Sequence, residues 1–226
     1  MRRAKLAFGL LLATSALLPA TQALQAADEK ASANSASKAE TASEDALPPL
    51  PEDASVRQSA VIGGKSVSYT ATVGTIPVHD AKGKLNGEVV YTAYTLPGKQ
   101  AENRPVTFAF NGGPGAASVY LNLGAIGPKR VAFGAQGDSP SDPAVLQDNP
   151  NSWLDFTDLV FIDPIGTGFS RSRADEETTN AEFYAADADI HYLSRVIYDW
   201  LVKEERLASP KYLTGESYGG YRVPRL

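Results

Sequence analysis

Three short apolar segments, each followed directly by a glycine-rich loop, constrain the fold of this chain most strongly. Residues 105–110 precede "NGGPG", residues 158–163 precede "PIGTG", and residues 211–215 precede "ESYGG". Short, nearly continuous apolar strands are typical of parallel sheets that are buried on both faces. The carboxyl ends of such strands meet at one edge of the sheet, where ligands bind in open α/β folds. The pattern therefore predicts an α/β fold with its functional loops clustered at that edge.

A long amphipathic helix is predicted between the second and third of these strands. Within residues 180–206, apolar side chains recur at spacings of three and four and form one stripe: Phe183, Ala186, Ile190, Leu193, Ile197 and Leu201. The order strand, helix, strand predicts a right-handed crossover that packs this helix on the sheet.

A β-rich region precedes the α/β part. Residues 59–96 alternate between apolar and polar side chains and are rich in Val, Thr and Tyr. "GG" and "DAKGKLNG" interrupt the alternation as turn sequences. This pattern predicts a β-hairpin or a meander.

The first 55 residues are predicted to lie outside the folded domain. Arg2, Arg3 and Lys5 precede an apolar run at residues 6–18, as in a signal peptide, and cleavage is expected after Ala26 or Ala27. Residues 27–55 contain no aromatic residue and are predicted to form a disordered linker. The domain is then residues 56–226, and we expect a bacterial periplasmic or secreted protein with no membrane association after cleavage.

Composition excludes several kinds of site. The chain has no cysteine, which excludes disulfides and thiolate metal ligands, and its only histidines are His79 and His191. A formal net charge of −5 argues against nucleic acid as a partner. We predict no metal and no organic cofactor, whereas the composition leaves the oligomeric state open.

A candidate nucleophile lies near the end of the chain, in the sequence Gly215-Glu216-Ser217-Tyr218-Gly219. Gly-x-Ser-x-Gly after a strand is the pattern of a nucleophile elbow, in which a sharp turn exposes the serine hydroxyl. The N–H of the residue after the serine, here Tyr218, points at the developing oxyanion. "NGGPG" after an earlier strand suits the loop that supplies a second N–H donor.

The motifs "NGGPGAAS", "FIDPIGTGFSRS" and "LTGESYGGYRVP" resemble those of the serine carboxypeptidases, peptidase family S10, which have an α/β-hydrolase fold. The resemblance implies that Ser217 is the nucleophile and that Gly113 and Tyr218 donate N–H groups to the oxyanion. It implies that the terminal carboxylate of a peptide substrate is bound by Asn111, Gly112 and Glu216. The loop at residues 163–170 is expected to have a structural role.

Two positions depart from the family pattern. Ala116 stands where members commonly have a cysteine, so that disulfide is absent. Ala125 stands where many members carry a glutamate that shares a proton with the glutamate before the nucleophile. Without that partner, Glu216 would repel a substrate carboxylate unless it is protonated or neutralised. Strict carboxypeptidase specificity and an acidic pH optimum are therefore left open, and an esterase or acyltransferase is the alternative.

The partners of the serine are missing from the expected place. In α/β-hydrolases the triad follows the chain order Ser, Asp or Glu, His, yet no Asp or His follows Ser217. His79 and His191 precede it, and neither is expected to be the base. We predict that the chain is the N-terminal half of an α/β-hydrolase, with the Asp and His downstream, and that it is inactive alone. A non-catalytic fragment that only binds peptide carboxylates is a further alternative.

Overall fold

The computed structural model describes residue 48 and residues 50–98, 103–133 and 145–226. The predicted signal peptide at residues 1–26 and most of the predicted linker at residues 27–55 lie outside the described residues. The end of that linker is part of the fold, because strand β1 (Ala54–Ile62) begins inside it. Asp53 precedes β1, and its carboxylate accepts a hydrogen bond from the Tyr91 hydroxyl at 2.9 Å and pairs with the Lys203 ammonium at 2.5 Å.

The first three strands form an antiparallel meander, as predicted for residues 59–96. Strand β1 pairs with β2 (Lys65–His79), and β2 pairs with β3 (Leu85–Thr95). In the turn between β2 and β3, Asp80 Oδ1 accepts hydrogen bonds from the N–H groups of Lys82 and Lys84. A short side chain that accepts bonds from its own turn is a common way to close such a connection.

Six further strands follow in the described part of the chain: β4 (Val106–Phe110), β5 (Lys129–Val131), β6 (Leu146–Asp148), β7 (Asp158–Ile162), β8 (Arg171–Ser172) and β9 (Lys211–Gly215). The predicted apolar strands are β4, β7 and β9. Strand β4 pairs in parallel with both β7 and β9, and β7 pairs antiparallel with β3. The sheet order is β1-β2-β3-β7-β4-β9, with β8 beside β3, while β5 and β6 form a separate ribbon.

The described α-helices are α1 (Glu176–Thr179), α2 (Ala186–Lys203) and α3 (Tyr218–Arg222). Other helical segments, of π or 3₁₀ type, are Leu121–Ile126, Trp153–Asp155, Asn180–Tyr184 and Val223–Arg225. None of the helices in this part of the chain is long and apolar enough to cross a membrane. The predicted helix at residues 180–206 was too long at both ends, because α2 covers only Ala186–Lys203. At its first end, Ala185 has an extended backbone, with φ −69° and ψ 142°, that separates α2 from the preceding turn.

The predicted apolar stripe was also partly wrong. Leu193 and Leu201 are buried as expected, but Ala186 is exposed. The buried face of α2 instead comprises Asp189, Tyr192, Leu193, Val196, Trp200 and Leu201. The indole of Trp200 packs edge-on against Phe108, with ring centroids 5.3 Å apart. Ile190 and Ile197, which the prediction placed in the stripe, are only half-buried, because the buried face is centred on the large side chains of Tyr192 and Trp200.

Alternate residues of the parallel strands enter two separate cores, one on each face of the sheet. In β7, Val160 and Ile162 pack in the core that α2 covers, whereas Leu159 and Phe161 pack in the core on the opposite face. Burial of each such side chain stabilises the fold by about 1.5–3 kcal/mol. Both faces of β4 and β7 are therefore covered. The prediction that β9 is buried in the same way was wrong, because β9 lies at the edge of the sheet, where Tyr212 is 58% exposed.

Candidate active site

Ser217 lies on a sharp turn between β9 and α3. Its backbone has φ 56° and ψ −120°, and its side chain is exposed. A positive φ is uncommon for a residue other than glycine, and such strained residues cluster at functional sites. The N–H of Gly219 donates to Glu216 O at 2.8 Å and closes the turn. The geometry is that of the predicted nucleophile elbow.

Close packing around this elbow requires glycine. A Cβ atom built on Gly215 would lie 2.2 Å from Gly219 O, and one built on Gly219 would lie 2.4 Å from Phe110 O. Both distances are far shorter than a carbon and an oxygen can approach without a bond. The absence of a side chain thus allows β9, α3 and the end of β4 to approach closely.

The "NGGPG" loop lies directly against the elbow. The N–H of Glu216 donates to Phe110 O at 3.1 Å, which joins the ends of β4 and β9. A Cβ atom on the buried Gly112 would lie 2.6 Å from Tyr218 N and 2.7 Å from Ser217 Cβ. Gly113, the next residue, is exposed and has φ 113°. The structure thus brings the predicted oxyanion loop beside the serine and Tyr218.

Asn111 and Glu216 are in contact. The Asn111 amide donates from Nδ2 to Glu216 Oε2 at 3.3 Å, and its Oδ1 accepts from the Leu121 N–H at 3.0 Å. Asn111 is buried, whereas Glu216 is exposed. Asn111 and Glu216 therefore form one cluster with Gly112, the third residue expected to bind the substrate carboxylate, although their role in binding stays a prediction.

The loop at residues 163–170 braces the loop that follows β4. Ser118 donates its N–H to Asp163 Oδ1 at 2.7 Å and its hydroxyl to Ile162 O at 2.5 Å. Burial raises the pKa of the Asp163 carboxyl above its ordinary value. The Ser170 hydroxyl donates to Asp163 O at 2.6 Å. These contacts agree with the structural role expected for the loop.

A buried ion pair beside the elbow was missed from the sequence. Arg222, only 2% exposed, donates from Nε to Asp189 Oδ2 at 2.7 Å and from Nη2 to Asp189 Oδ1 at 3.2 Å. Its Nη1 donates to Asn111 O at 3.3 Å. The available signal was the position of Asp189, which shares one helical face with Leu193, Val196 and Trp200 and is charged among apolar residues.

A cleft of about 330 Å³ opens beside the elbow. It lies between the loops that follow β4 and β7, and its walls include side chains of α2 and α3. Aromatic rings contribute much of the lining: Phe183, Tyr184, Tyr192 and Tyr218. The site thus combines a polar cluster around Ser217 with a largely apolar depression next to it.

The remaining positions singled out from the sequence lie elsewhere. His79 and His191 are both exposed and line one groove between β2 and α2. Ala125 is half-buried against the core on the face opposite α2, and its carbonyl accepts from Asn149 Nδ2 at 2.8 Å. Ala116 is exposed, and its N–H donates to Gly112 O at 3.1 Å.

Comparison with known proteins agrees with these features. The family model described as serine carboxypeptidase matches residues 79–226. Serine carboxypeptidase-like 26 of Arabidopsis thaliana is 34% identical over 167 residues, which cover 71% of this chain and 33% of the relative. The pheromone-processing carboxypeptidase kex1 of Schizosaccharomyces pombe is 28% identical over 144 residues, which cover 63% of this chain and 26% of the relative.

The chain spans about a third of the length of the curated plant relatives it matches, as with the 34% covered of serine carboxypeptidase-like 36 of Arabidopsis thaliana. The family match nevertheless includes the three motifs, the parallel strands and the elbow. The mixed sheet with its covering helices confirms the predicted α/β-hydrolase fold. On this evidence the chain belongs to the serine carboxypeptidase family.

Proposed function

We propose that the protein to which this chain belongs is a serine-type carboxypeptidase that removes residues from the free C-terminus of peptides. The observation that carries the proposal is the strained turn at Ser217, packed against the Gly112–Gly113 loop in a chain of this family. The proposed roles are those implied by the motifs. Ser217 attacks, Gly113 and Tyr218 donate N–H groups, and the carboxylate is bound by Asn111, Gly112 and Glu216.

In the proposed reaction, Ser217 Oγ attacks the carbonyl carbon of the last peptide bond while a base accepts its proton. The N–H groups stabilise the tetrahedral oxyanion, and each such donor typically contributes about 2.7–4 kcal/mol. The proton passes to the leaving amine as the C–N bond breaks, which leaves an acyl-enzyme. Water then hydrolyses the acyl-enzyme with the same base.

The base and its orienting carboxylate are expected beyond Leu226. A serine hydroxyl needs both groups to become a strong nucleophile. His79 and His191 are poor candidates, because they line the groove between β2 and α2. The short span of this chain relative to its relatives is consistent with further residues that complete the triad.

A second candidate function is an esterase or an acyltransferase. Its support is Ala125, whose apolar side chain packs against the core and offers Glu216 no carboxyl partner. Glu216 is exposed and accepts a hydrogen bond from the Asn111 amide. It is expected to bind a substrate carboxylate more weakly than a pair of glutamates that shares a proton. Matched ester, free-carboxyl peptide and amidated peptide substrates separate the two functions, since only a carboxypeptidase prefers the free carboxylate.

The location is proposed on the N-terminal sequence alone. The positive residues and apolar run before Ala26 favour export, and we propose a bacterial periplasmic or secreted protein. The relatives named above are from a plant and a fungus, so bacterial origin rests on no comparison. N-terminal sequencing of the exported protein tests the cleavage site, and a start at Met1 would contradict it.

The central test uses the full-length protein and a blocked dipeptide with a free carboxyl group. Ser217→Ala is expected to abolish hydrolysis and labelling by a fluorophosphonate. Ser194→Ala is the matched control, because it removes a hydroxyl that donates to Ile190 O within α2. Retained hydrolysis by Ser217→Ala would overturn the proposal, whereas binding of the dipeptide without turnover by the wild type would favour a non-catalytic protein.

A further inference from the structure

A buried ion pair between Asp189 and Arg222 joins α2 to α3. Arg222 uses Nε and Nη2 to bind both carboxylate oxygens of Asp189, at 2.7 and 3.2 Å. A bidentate arrangement of this kind fixes the plane and direction of the guanidinium group. The remaining nitrogen, Nη1, is thereby aimed at Asn111 O, 3.3 Å away.

The guanidinium group of Arg222 also packs against two aromatic rings next to the elbow. Its central carbon lies 5.0 Å from the centre of the Tyr218 ring and 6.0 Å from that of Phe110. Phe110 is the last residue of β4, and Tyr218 is the first of α3. One buried side chain therefore touches the strand before the oxyanion loop, the first residue of that loop, and the residue after the serine.

Asn111 is the residue through which this contact reaches the substrate site. Its carbonyl accepts from Arg222, and its amide side chain donates to Glu216. Both bonds act on a single residue, so movement of its backbone also moves Nδ2 and the adjacent Gly112. Asp189 is 5% exposed and Arg222 is 2% exposed, and both line the cleft beside the elbow.

We propose that Arg222, held by Asp189, is a positioning residue that orients Asn111 for recognition of the substrate carboxylate. This inference rests on the proposed carboxypeptidase function. It distinguishes the pair from a simple brace between α2 and α3. A brace would affect all substrates equally, whereas a device that orients Asn111 matters most for substrates with a free carboxylate.

The test measures kcat/KM of the full-length protein for a free-carboxyl peptide and for the same peptide as an amide. Two alterations remove the bond to Asn111 in different ways. Asp189→Leu combined with Arg222→Met replaces the pair by apolar side chains, an exchange that buried ion pairs often tolerate in stability. Arg222→Lys keeps the charge opposite Asp189 but replaces three fixed nitrogens by one.

In both variants we expect the preference for the free-carboxyl peptide over the amide to fall roughly tenfold, the effect of losing one charge-assisted bond. The fall is expected in KM more than in kcat. The matched control is Arg206→Lys, which alters a second buried arginine that pairs with Asp158 and donates to Arg104 O. It should lower thermal stability and leave the preference unchanged.

The outcomes separate this inference from the proposed function. A wild type that hydrolyses neither peptide contradicts the proposed function and the inference with it. A wild type that prefers the free carboxylate, together with variants that keep this preference, contradicts the inference alone. An equal loss for both peptides would show that the pair is only a brace. Should the double variant fail to fold, Arg222→Lys decides the question by itself.

Discussion

The two ends of the parallel strands are each held by a buried aspartate and arginine, but the arrangements differ. At the amino end, Asp158 is fully buried and accepts from Arg104 Nε at 2.8 Å and from Arg206 Nη1 at 2.7 Å. Arg206 Nη2 also donates to Arg104 O at 2.8 Å. Arg206 Nε also donates to the Ser209 hydroxyl at 2.7 Å, and the Leu96 N–H donates to Asp158 Oδ1 at 3.1 Å. These contacts join the segments at the amino ends of β4, β7 and β9.

At the carboxyl end, Arg222 makes the corresponding contacts with Asp189 and with Asn111 O. The chemistry is the same, yet the carbonyl now belongs to the loop beside the nucleophile. The proposed role of Arg222 therefore depends on which carbonyl its guanidinium group binds, Asn111 O rather than Arg104 O. The amino end is therefore expected to govern stability and the carboxyl end to govern the site.

The largest effect is expected from Asp158→Ala at the amino end. It leaves Arg206 buried without its carboxylate, and breaking a buried pair in this way costs about 3–5 kcal/mol in the free energy of unfolding. Chemical denaturation measures this loss. Activity per folded molecule should be retained, and a selective loss of activity would contradict the division between the two ends.

The next effect is expected from Gly219→Ala at the carboxyl end. The new Cβ would lie 2.4 Å from Phe110 O, so α3 and Ser217 must move away from β4. Misplacement of a catalytic group by about 1 Å can lower the rate about 100-fold, and we expect a loss of this size in kcat/KM.

The neighbouring glycine supplies the control for this change. A Cβ on Gly220 would meet nothing within 4 Å, so Gly220→Ala should retain activity. It should also stabilise the fold by about 0.4–1 kcal/mol, because alanine restricts the unfolded chain. Equal effects of the two substitutions on kcat/KM would show that close packing at Gly219 is not what positions the serine.

A smaller effect concerns pH and the Asp163 carboxyl. Burial raises its pKa in the folded state above the ordinary value of 3.8, so the folded protein holds this proton more tightly than the unfolded chain. Stability should therefore decline as the pH rises from 3.8 through the folded pKa. Asp163→Asn keeps an oxygen for the Ser118 N–H and should flatten this decline.

Denaturation midpoints over a pH series measure the change. Asp175→Asn is a control of opposite sign, since the Thr178 N–H lowers the pKa of the Asp175 carboxyl. The stability due to that carboxylate is lost as the pH falls. A pH profile unaffected by Asp163→Asn would mean that the buried carboxyl is not linked to folding.

The smallest effect is expected for an exposed ion pair. Arg195 and Asp199 are one helical turn apart on α2, with their side chains 69% and 30% exposed. Solvent and salt screen such pairs strongly. Arg195→Ala should leave both the melting temperature and kcat/KM essentially unchanged. A loss as large as that of Asp158→Ala would show that burial is not what separates these pairs.

Much of this architecture was predictable because it depends on local patterns. Apolar segments of strand length before glycine-rich loops identified β4, β7 and β9, and alternating residues identified the meander. The elbow at Ser217 was recognisable because its glycines are required by contacts between neighbouring segments. The helix at residues 180–206 was less accurate, because a single extended residue, Ala185, ends the regular pattern without any proline or glycine to signal it.

Local patterns in the amino-acid sequence were enough to identify the parallel strands and the candidate nucleophile Ser217. By contrast, the pairing of Asp53 with Lys203 and of Asp189 with Arg222 depends on how distant segments pack together. The physical reason is that spacing reports which residues share a face of one element. Whether a charged residue on that face is exposed or buried depends on a partner that lies 33 residues away in the chain.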